Sequence, residues 1–464
     1  MRAEAALLDR VLRIGIDLMM ADEFDHSLAA SVGRGLPVAV RGSGCRIWDR
    51  EGREYIDACG GAMVMSLGHC HPRLIEAAKR QLDKLTFTYR FSFSNEPMAD
   101  LSELIREIAP MQRASAFFNS SGSESVESAI HMAILYWQHL GKPNKHELIS
   151  RYPSYHGSTL GALGLSGSRW RKGFELVLKK NAIAQVAGAD IRARRSEQDE
   201  LRFGLEQIEA AIVSRKPDHV AAVFLEPITG ASAAAVVPPE GYIDGLRELC
   251  DRYGVLMICD ETITGFGRTG EWWGSSHWEG KPDIVTFAKG ATSGITPFSG
   301  MVVAKHVADV FLTKPEGFPL GHTFSGNPLG CAIAAEAIRT IRDEGLLARG
   351  RDLGERLRAG MEAIAAASPH IGQVRGKGLL QGMELVCDRD SLEPLAGASN
   401  RLASFAKQRG LMIYPCPTPL GHRMIEAVML APPLIVNEAD IDEILARLGD
   451  SLRELDASPR AESA

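Results

Sequence analysis

Two apolar runs in this chain end on opposite charges. Val255-Leu256-Met257-Ile258-Cys259 stops at Asp260 and Glu261, and Ile284-Val285-Thr286-Phe287-Ala288 stops at Lys289 and Gly290. Unbroken apolar runs this short read as strands buried on both faces, as in a parallel sheet. Open α/β sheets bind ligands just beyond the carboxyl ends of their strands. One carboxylate and one amine are therefore delivered to the same rim. A lysine at the edge of a sheltered site sheds its proton and condenses with an aldehyde to a Schiff base. A lone lysine is usually a surface residue. A lysine closing one apolar strand, downstream of a carboxylate closing another, is not usual.

Other segments bring further groups to this rim. Ala114-Ser115-Ala116-Phe117-Phe118 is strand-like, Asn119 to Ser123 is a small polar turn, and Val126, Ala129, Ile130, Ala133, Trp137 and Leu140 recur at helical spacing. Such a turn offers an anion free backbone N–H groups, hydroxyls and the positive end of a helix dipole. The alternative is a plain N-cap, with Ser121 or Ser123 capping its own helix. Tyr155 precedes His156 and Gly157 after a short strand. It reads either as an aromatic stacked on a planar ring or as ordinary loop. A further buried run, Ala221 to Leu225, ends on Glu226-Pro227. A phosphate cradle, an aromatic, a carboxylate and a strand-end lysine are together what pyridoxal phosphate requires. The carboxylate keeps the ring nitrogen protonated, and the ring then acts as an electron sink for a carbanion.

The elements that must hold these groups follow the βαβ rhythm of a parallel sheet, with helices expected over Leu205 to Val213 and Tyr242 to Tyr253. Residues 36–60 read as a strand meander, and Pro72 starts a helix running to about Leu85. Phe87, Tyr89, Phe91 and Phe93 alternate, a pattern more often core than cofactor site, with Tyr89 the candidate for a substrate pocket. The loop from Gly321 to Pro328 precedes an Ala-rich helix that marks the exit from the large domain. Beyond it the pattern changes to an α+β domain, closed by an amphipathic helix through Ile441, Ile444, Leu448 and Leu452 with Asn437 at its N-cap. The expected fold is α/β, a mostly parallel central sheet with helices on both faces and a smaller α+β domain made from the two chain ends. The expected boundaries are 1–95, 96–335 and 336–464.

Composition narrows the partners. The 464 residues are 45% apolar and 24% charged, with a formal net charge of −6 and no Lys/Arg run, so nucleic acid is not an expected partner. Met1 to Met20 carries charges among its apolar residues and is expected to form an amphipathic helix rather than a signal peptide or membrane span. Eight cysteines without a C-x-x-C pair read as reduced thiols of a cytoplasmic protein. His69-Cys70-His71 invites a metal reading. Zinc needs three or four converging ligands, no second cluster stands at such a spacing, and no metal is expected.

From Leu36 to about residue 450 the chain resembles the class III, or ω-type, aminotransferases of pyridoxal-phosphate fold type I. Asp260-Glu261-Thr262-Ile263-Thr264-Gly265-Phe266-Gly267-Arg268-Thr269-Gly270 is similar to that family's D-E-V-x-T-G-F-G-R-T-G, and Ala288-Lys289-Gly290 matches its lysine. Glu226-Pro227, Tyr155-His156-Gly157 and Asn119 to Glu124 are similar to its other motifs. The resemblance implies Lys289 as Schiff-base residue and proton shuttle, and Asp260 on the pyridine nitrogen. It implies Ser121, Gly122 and Ser123 on the phosphate, with Thr323 reaching across from the other subunit of a homodimer. Tyr155 and His156 form the ring-stacking segment, Glu226 lies near the ring hydroxyl, and Thr262 and Ile263 lie at the ring. Thr262 departs from the usual Val or Ile. Many members also place an Arg before an Ala-Pro-Pro-Leu segment to bind a substrate carboxylate. Here Ala431-Pro432-Pro433-Leu434 is present, and Arg423 is the nearest candidate. The implied activity is transfer of an amino group from a primary amine or ω-amino acid to a 2-oxo acid such as pyruvate or 2-oxoglutarate. An aminomutase, racemase or decarboxylase with the same site is the alternative, and a non-catalytic cofactor-binding protein a more distant one.

Overall fold

The computed structural model describes residues 36–167, 171–315 and 317–457. The amphipathic helix expected over Met1 to Met20 and the tail beyond Ala457 lie outside these residues. Residues 36–41 and 48–53 belong to one compact unit, in which the Arg50 N–H donates to the Val38 carbonyl at 2.8 Å and the Arg41 guanidinium lies 3.7 Å over the Trp48 ring. The remaining described residues form the second unit.

The expected meander is present as strands β1 (Ala39–Ser43), β2 (Arg46–Asp49) and β3 (Glu54–Asp57). The large sheet is built from β4 (Ser115–Asn119), β5 (Glu147–Tyr152), β6 (Ala182–Gln185), β7 (Val220–Leu225), β8 (Leu256–Asp260), β9 (Ile284–Phe287) and β10 (Ser299–Val303). Its order is β4-β10-β9-β8-β7-β5-β6. Pairs from β9 to β6 are parallel, and only β10 runs against its neighbours. Every residue of β7, β8, β9 and β10 is buried, which is why these segments read as continuous apolar runs rather than alternating ones. Two antiparallel pairings in succession return β4 to the direction of β9. The carboxyl ends of β4, β5, β7, β8 and β9 thus meet at one rim.

Helices pack on this sheet as the spacing predicts, with informative differences. Tyr242–Tyr253 matches its expected span. The helix expected over Leu205 to Val213 runs from Glu197 to Ser214, capped by the Ser196 side chain. Its first turn carries Glu197, Asp199 and Glu200, which suit the positive helix end but hide the apolar periodicity. The alternating aromatics are not core. Phe87, Tyr89, Phe91 and Phe93 are 39%, 50%, 65% and 70% exposed in a turn segment without strand partners. Period-two spacing buries a face only when a neighbouring strand or layer covers it, and here none does among the described residues.

The C-terminal third forms a second sheet of β11 (Ile371–Lys377), β12 (Leu380–Leu385), β14 (Tyr414–Pro415) and β17 (Ala427–Leu430), in the order β11-β12-β17-β14. β15 (Thr418–Leu420) and β16 (Arg423–Ile425) make a separate hairpin. β13 (Leu411–Met412) pairs in parallel with β3, Leu411 opposite Ile56. Arg46, which belongs to the second unit, adds bonds to Asp440 and Glu443 on the last helix. That helix runs Glu438–Ala457, with the Asn437 side chain accepting the Asp440 N–H at 2.9 Å.

Candidate active site

Asp260 is the last residue of β8 and stands opposite Thr286 of β9; Lys289 follows three residues later. Strand pairing therefore fixes carboxylate and amine beside each other. Asp260 is buried. Its Oδ2 takes a hydrogen bond from His156 Nδ1 at 2.9 Å, and its Oδ1 takes the Thr262 N–H and the Thr286 hydroxyl, both at 3.1 Å. Burial raises its pKa, but the bonds from His156 and Thr262 outweigh burial and hold the carboxyl below its ordinary value. Glu226, just past β7, lacks so strong a partner. It accepts the Gly230 N–H at 2.8 Å, the Tyr155 N–H at 3.2 Å and the Ser232 hydroxyl at 3.3 Å, and burial pushes its carboxyl up.

Lys289 sits in a left-handed backbone conformation, φ 36°, where a short 3-10 turn begins. Burial lowers its ammonium from 10.5 to about 8. Asp260 and Glu226 oppose that shift and Arg268 adds to it. Arg268 lies wholly inside the protein, its Nη1 donating to the carbonyls of Pro432 at 2.6 Å and Leu379 at 3.4 Å. Glu261, Asp260's neighbour, is turned to another task. It accepts the Gly274 N–H at 2.6 Å, the Ser275 N–H at 2.7 Å and the Thr264 hydroxyl at 2.5 Å, and so ties down the glycine-rich connector.

These groups border a cavity of about 180 Å³, with Gly122, Ser123, Tyr155, His156, Glu226, Asp260, Thr262, Ile263 and Lys289 in its walls. Gly122 and Ser123 open the 18-residue helix Gly122–His139. Ser121 and Ser123 divide the roles that the sequence left open. Ser121 is the N-cap, bonded to the Glu124 N–H while Glu124 accepts the Ser120 and Ser121 N–H groups. Ser123 faces the cavity and accepts the Ser158 N–H at 3.0 Å. A Cβ on Gly157, whose φ is 136°, would stand 2.5 Å from that Ser123 hydroxyl oxygen.

The donor set suits pyridoxal phosphate. A helix N-terminus with a hydroxyl suits a phosphate, an ionised buried carboxylate suits a protonated ring nitrogen, and a readily deprotonated amine suits an aldehyde. His156 Nε2 is buried without a hydrogen-bond partner among the described residues, a polar atom the protein itself leaves unsatisfied.

Three candidates lie elsewhere. Thr323 is exposed in the loop from Gly321 to Asn327 and is absent from the cavity wall of its own chain. Tyr89 is half exposed in the aromatic segment. Arg423 stands at the hairpin end of β16, its Nη1 3.1 Å from Glu393 Oε1. Sequence reasoning missed Thr286, Ser232 and Arg375. Thr286 was legible as a hydroxyl inside an apolar strand. Arg375 was not: it bonds Glu384 and the carbonyls of Ala233 and Ala234, bracing the segment that carries Ser232.

A model of the family described as aminotransferase class-III matches residues 28–452. Taurine–pyruvate aminotransferase of Bilophila wadsworthia is 35% identical over 424 residues, covering 88% of this chain and 90% of its own. Diaminobutyrate–2-oxoglutarate transaminase of Halomonas elongata is 34% identical, with 88% of each chain covered. Among solved structures, the omega transaminase of Pseudomonas jessenii in complex with PMP superposes with a TM-score of 0.86 at 31% identity, over 93% of this chain and 96% of that one. With the rim chemistry and these matches in agreement, the chain belongs to the class III aminotransferases, pyridoxal-phosphate-dependent enzymes of fold type I.

Proposed function

We propose that this enzyme moves an amino group from a primary amine or ω-amino acid to a 2-oxo acid such as pyruvate or 2-oxoglutarate. The observation that carries the reading is the convergence of Lys289, Asp260 and the Gly122–Ser123 helix terminus on one sheltered cavity. The two relatives named for 2-oxo acid acceptors support the pairing of donor and acceptor.

Lys289 is the covalent anchor and the proton carrier. An amine that titrates near pH 8 is available both as nucleophile and, once protonated, as acid. Asp260, held ionised by His156 and Thr262, would pair with the protonated ring nitrogen. Gly122 and Ser123 would hold the phosphate, together with Thr323 from a second copy of the chain, while Ser121 keeps their helix end in shape. Tyr155, Thr262 and Ile263, which line the cavity, would hold the ring, and Glu226, fixed by its own bonds, would serve the ring's oxygen. Bound here, pyridoxal phosphate supplies an aldehyde carbon and an electron-withdrawing ring.

The homodimer belongs to the same proposal. Phe87 and Phe324 meet edge-on at 5.6 Å between ring centroids and are both exposed, an apolar patch beside the Thr323 loop of the kind that marks an interface. The divisions 1–95, 96–335 and 336–464 are proposed as small, large and small domain portions. A cytoplasmic location fits eight free thiols. The test of the activity is amino-acid formation from a 2-oxo acid in the presence of an amine donor. If amine is consumed or isomerised without any oxo acid, the mutase, racemase or decarboxylase reading replaces this one.

A further inference from the structure

Beyond the end of β7 the chain loops out and returns between Thr229 and Val236, where the Thr229 N–H donates to the Val236 carbonyl at 2.9 Å. Ala233, Ala234 and Ala235 are wholly buried in this loop. Ala234 and Ala235 both take left-handed backbone conformations, φ 50° and 60°. Alanine rarely visits that region, and residues held there persist only where their surroundings over-determine them. The constraint comes from the C-terminal sheet. Arg375 of β11 donates from Nε to the Ala234 carbonyl at 3.0 Å and from Nη2 to the Ala233 carbonyl at 2.8 Å. Its cross-strand partner on β12 is Gly382, where a Cβ would run into the Ala234 carbonyl oxygen. One strand position supplies the donors and the position opposite supplies the room. Nη1 is taken by Gln373 Oε1 at 2.9 Å and by Glu384, so the buried charge is balanced within β11 and β12.

The other side of the loop serves Glu226. The Gly230 N–H and the Ser232 hydroxyl reach its carboxylate at 2.8 and 3.3 Å. The Ala233 N–H donates to the Gly230 carbonyl at 3.2 Å. A chain of hydrogen bonds therefore runs from Arg375 through Ala233 and Gly230 to Glu226. A Cβ on Gly230 would strike the Ile263 side chain, so the backbone has no slack toward the cavity. A guanidinium gripping two carbonyls fixes direction as well as distance, which a single contact does not.

We propose that Arg375 is a positioning residue for Glu226: by fixing the Ala233 and Ala234 carbonyls it keeps the Gly230 and Ser232 donors on the carboxylate. Glu226 borders the same cavity as Lys289. The charged and titratable groups around it are Lys289, Asp260 and His156, and Arg151 bonds its backbone carbonyl. Kept on its donors, Glu226 holds its negative charge beside the Lys289 amine. This role rests on Glu226's place in the proposed site, but it is exercised before any cofactor binds.

The test reads the pH midpoint for acylation of Lys289 in the cofactor-free protein. Arg375→Lys keeps a charge against Glu384 but lacks the fork that reaches both carbonyls. Its midpoint is expected to fall by about half a pH unit or more, because a loosened Glu226 opposes the effect of burial less. Ser232→Ala, which removes one donor from Glu226 directly, should shift it the same way. In a Glu226→Gln background neither substitution should move it. Glu384→Gln, which leaves both carbonyl bonds in place, should lower Tm without moving the midpoint. If Arg375→Lys does not fold, the double variant Arg375→Gln/Glu384→Gln, which leaves no unpaired charge in the interface, replaces it. A clamp that serves stability alone would lower Tm with an unchanged midpoint, or give the same shift when residue 226 is Gln; either result overturns the proposal. In the cofactor-loaded enzyme kcat for amino transfer should fall severalfold in the Arg375 variant. No amino transfer by the unaltered enzyme would overturn the transaminase reading and leave the labelling to decide the role of Arg375.

Discussion

At Lys289 burial and charge act on one amine from opposite sides. Burial takes its pKa to about 8, while Asp260 and Glu226 pull it back upward. In the cofactor-free protein, labelling of Lys289 by an amine-acylating reagent, followed by mass spectrometry, is expected to reach half its maximal rate near pH 8. Ordinary lysines should keep rising toward 10.5. A folded pKa below the unfolded one means that the unfolded chain binds more protons between about pH 8 and 10.5. Lys289 therefore contributes stability that grows as pH rises through that window, and Lys289→Met should flatten that part of the profile. Lys289→Ala should fold and lose turnover on the order of a thousandfold or more. Asp260→Asn should still bind the cofactor but lose about a hundredfold to a thousandfold, because an amide supplies no charge for the ring nitrogen. Near-normal turnover in that variant would move the role off Asp260. It would not move it to Glu261, whose two oxygens are already taken by Gly274, Ser275 and Thr264.

Among the elements, the entrance to helix Gly122–His139 shows how helix-capping and cavity-facing groups are separated. The Ser121–Glu124 capping box satisfies the helix's own first N–H groups, which leaves the Ser123 side and the Gly122 backbone facing the cavity. Gly157 makes that approach possible. Gly157→Ala would push a methyl into Ser123 and force an alanine into positive φ, which costs about 1–3 kcal/mol. Weaker pyridoxal phosphate binding in an equilibrium titration, with the fold retained by circular dichroism, is the expected result. The Asn437 cap provides the contrast. Asn437→Ala should lower stability by about 1 kcal/mol in a denaturant titration and leave kcat unchanged, because no residue of that helix lines the cavity at Lys289.

For the whole molecule, the exposed aromatics and the Thr323 loop make assembly the decisive question. Oligomers are usually symmetric, and one twofold axis would complete two sites together. Mixing Lys289→Ala chains with Thr323→Ala chains would put both lesions in one site of each heterodimer and neither in the other. Activity should then exceed that of either parent. No recovery, with subunit exchange verified and Thr323→Ala impaired alone, would count against a shared site.

The sheet and the candidate groups at its rim were legible because strands buried on both faces leave continuous apolar runs, and whatever ends such a run is delivered to the rim. Asp260, Lys289, Glu226 and the Gly122–Ser123 turn were therefore all placed by local pattern. The aromatic segment shows where local pattern fails. Alternation at Phe87 to Phe93 states a periodicity, but burial depends on what lies opposite, and that is a tertiary fact. The helix opening at Glu197 began early for a related reason, since its first turn obeys capping and dipole rules that carry no apolar signal. Contacts between residues far apart in sequence were invisible: His156 on Asp260, 104 positions apart, and Arg375 bracing the Ser232 segment. Arg423 marks the limit most clearly. Its position before Ala431 makes it a candidate carboxylate ligand, yet strand register sets it at the hairpin end of β16 and against Glu393. Sequence named the chemistry at the end of each strand; register and packing decided which side chains share a cavity, because both depend on neighbours that the local sequence does not contain.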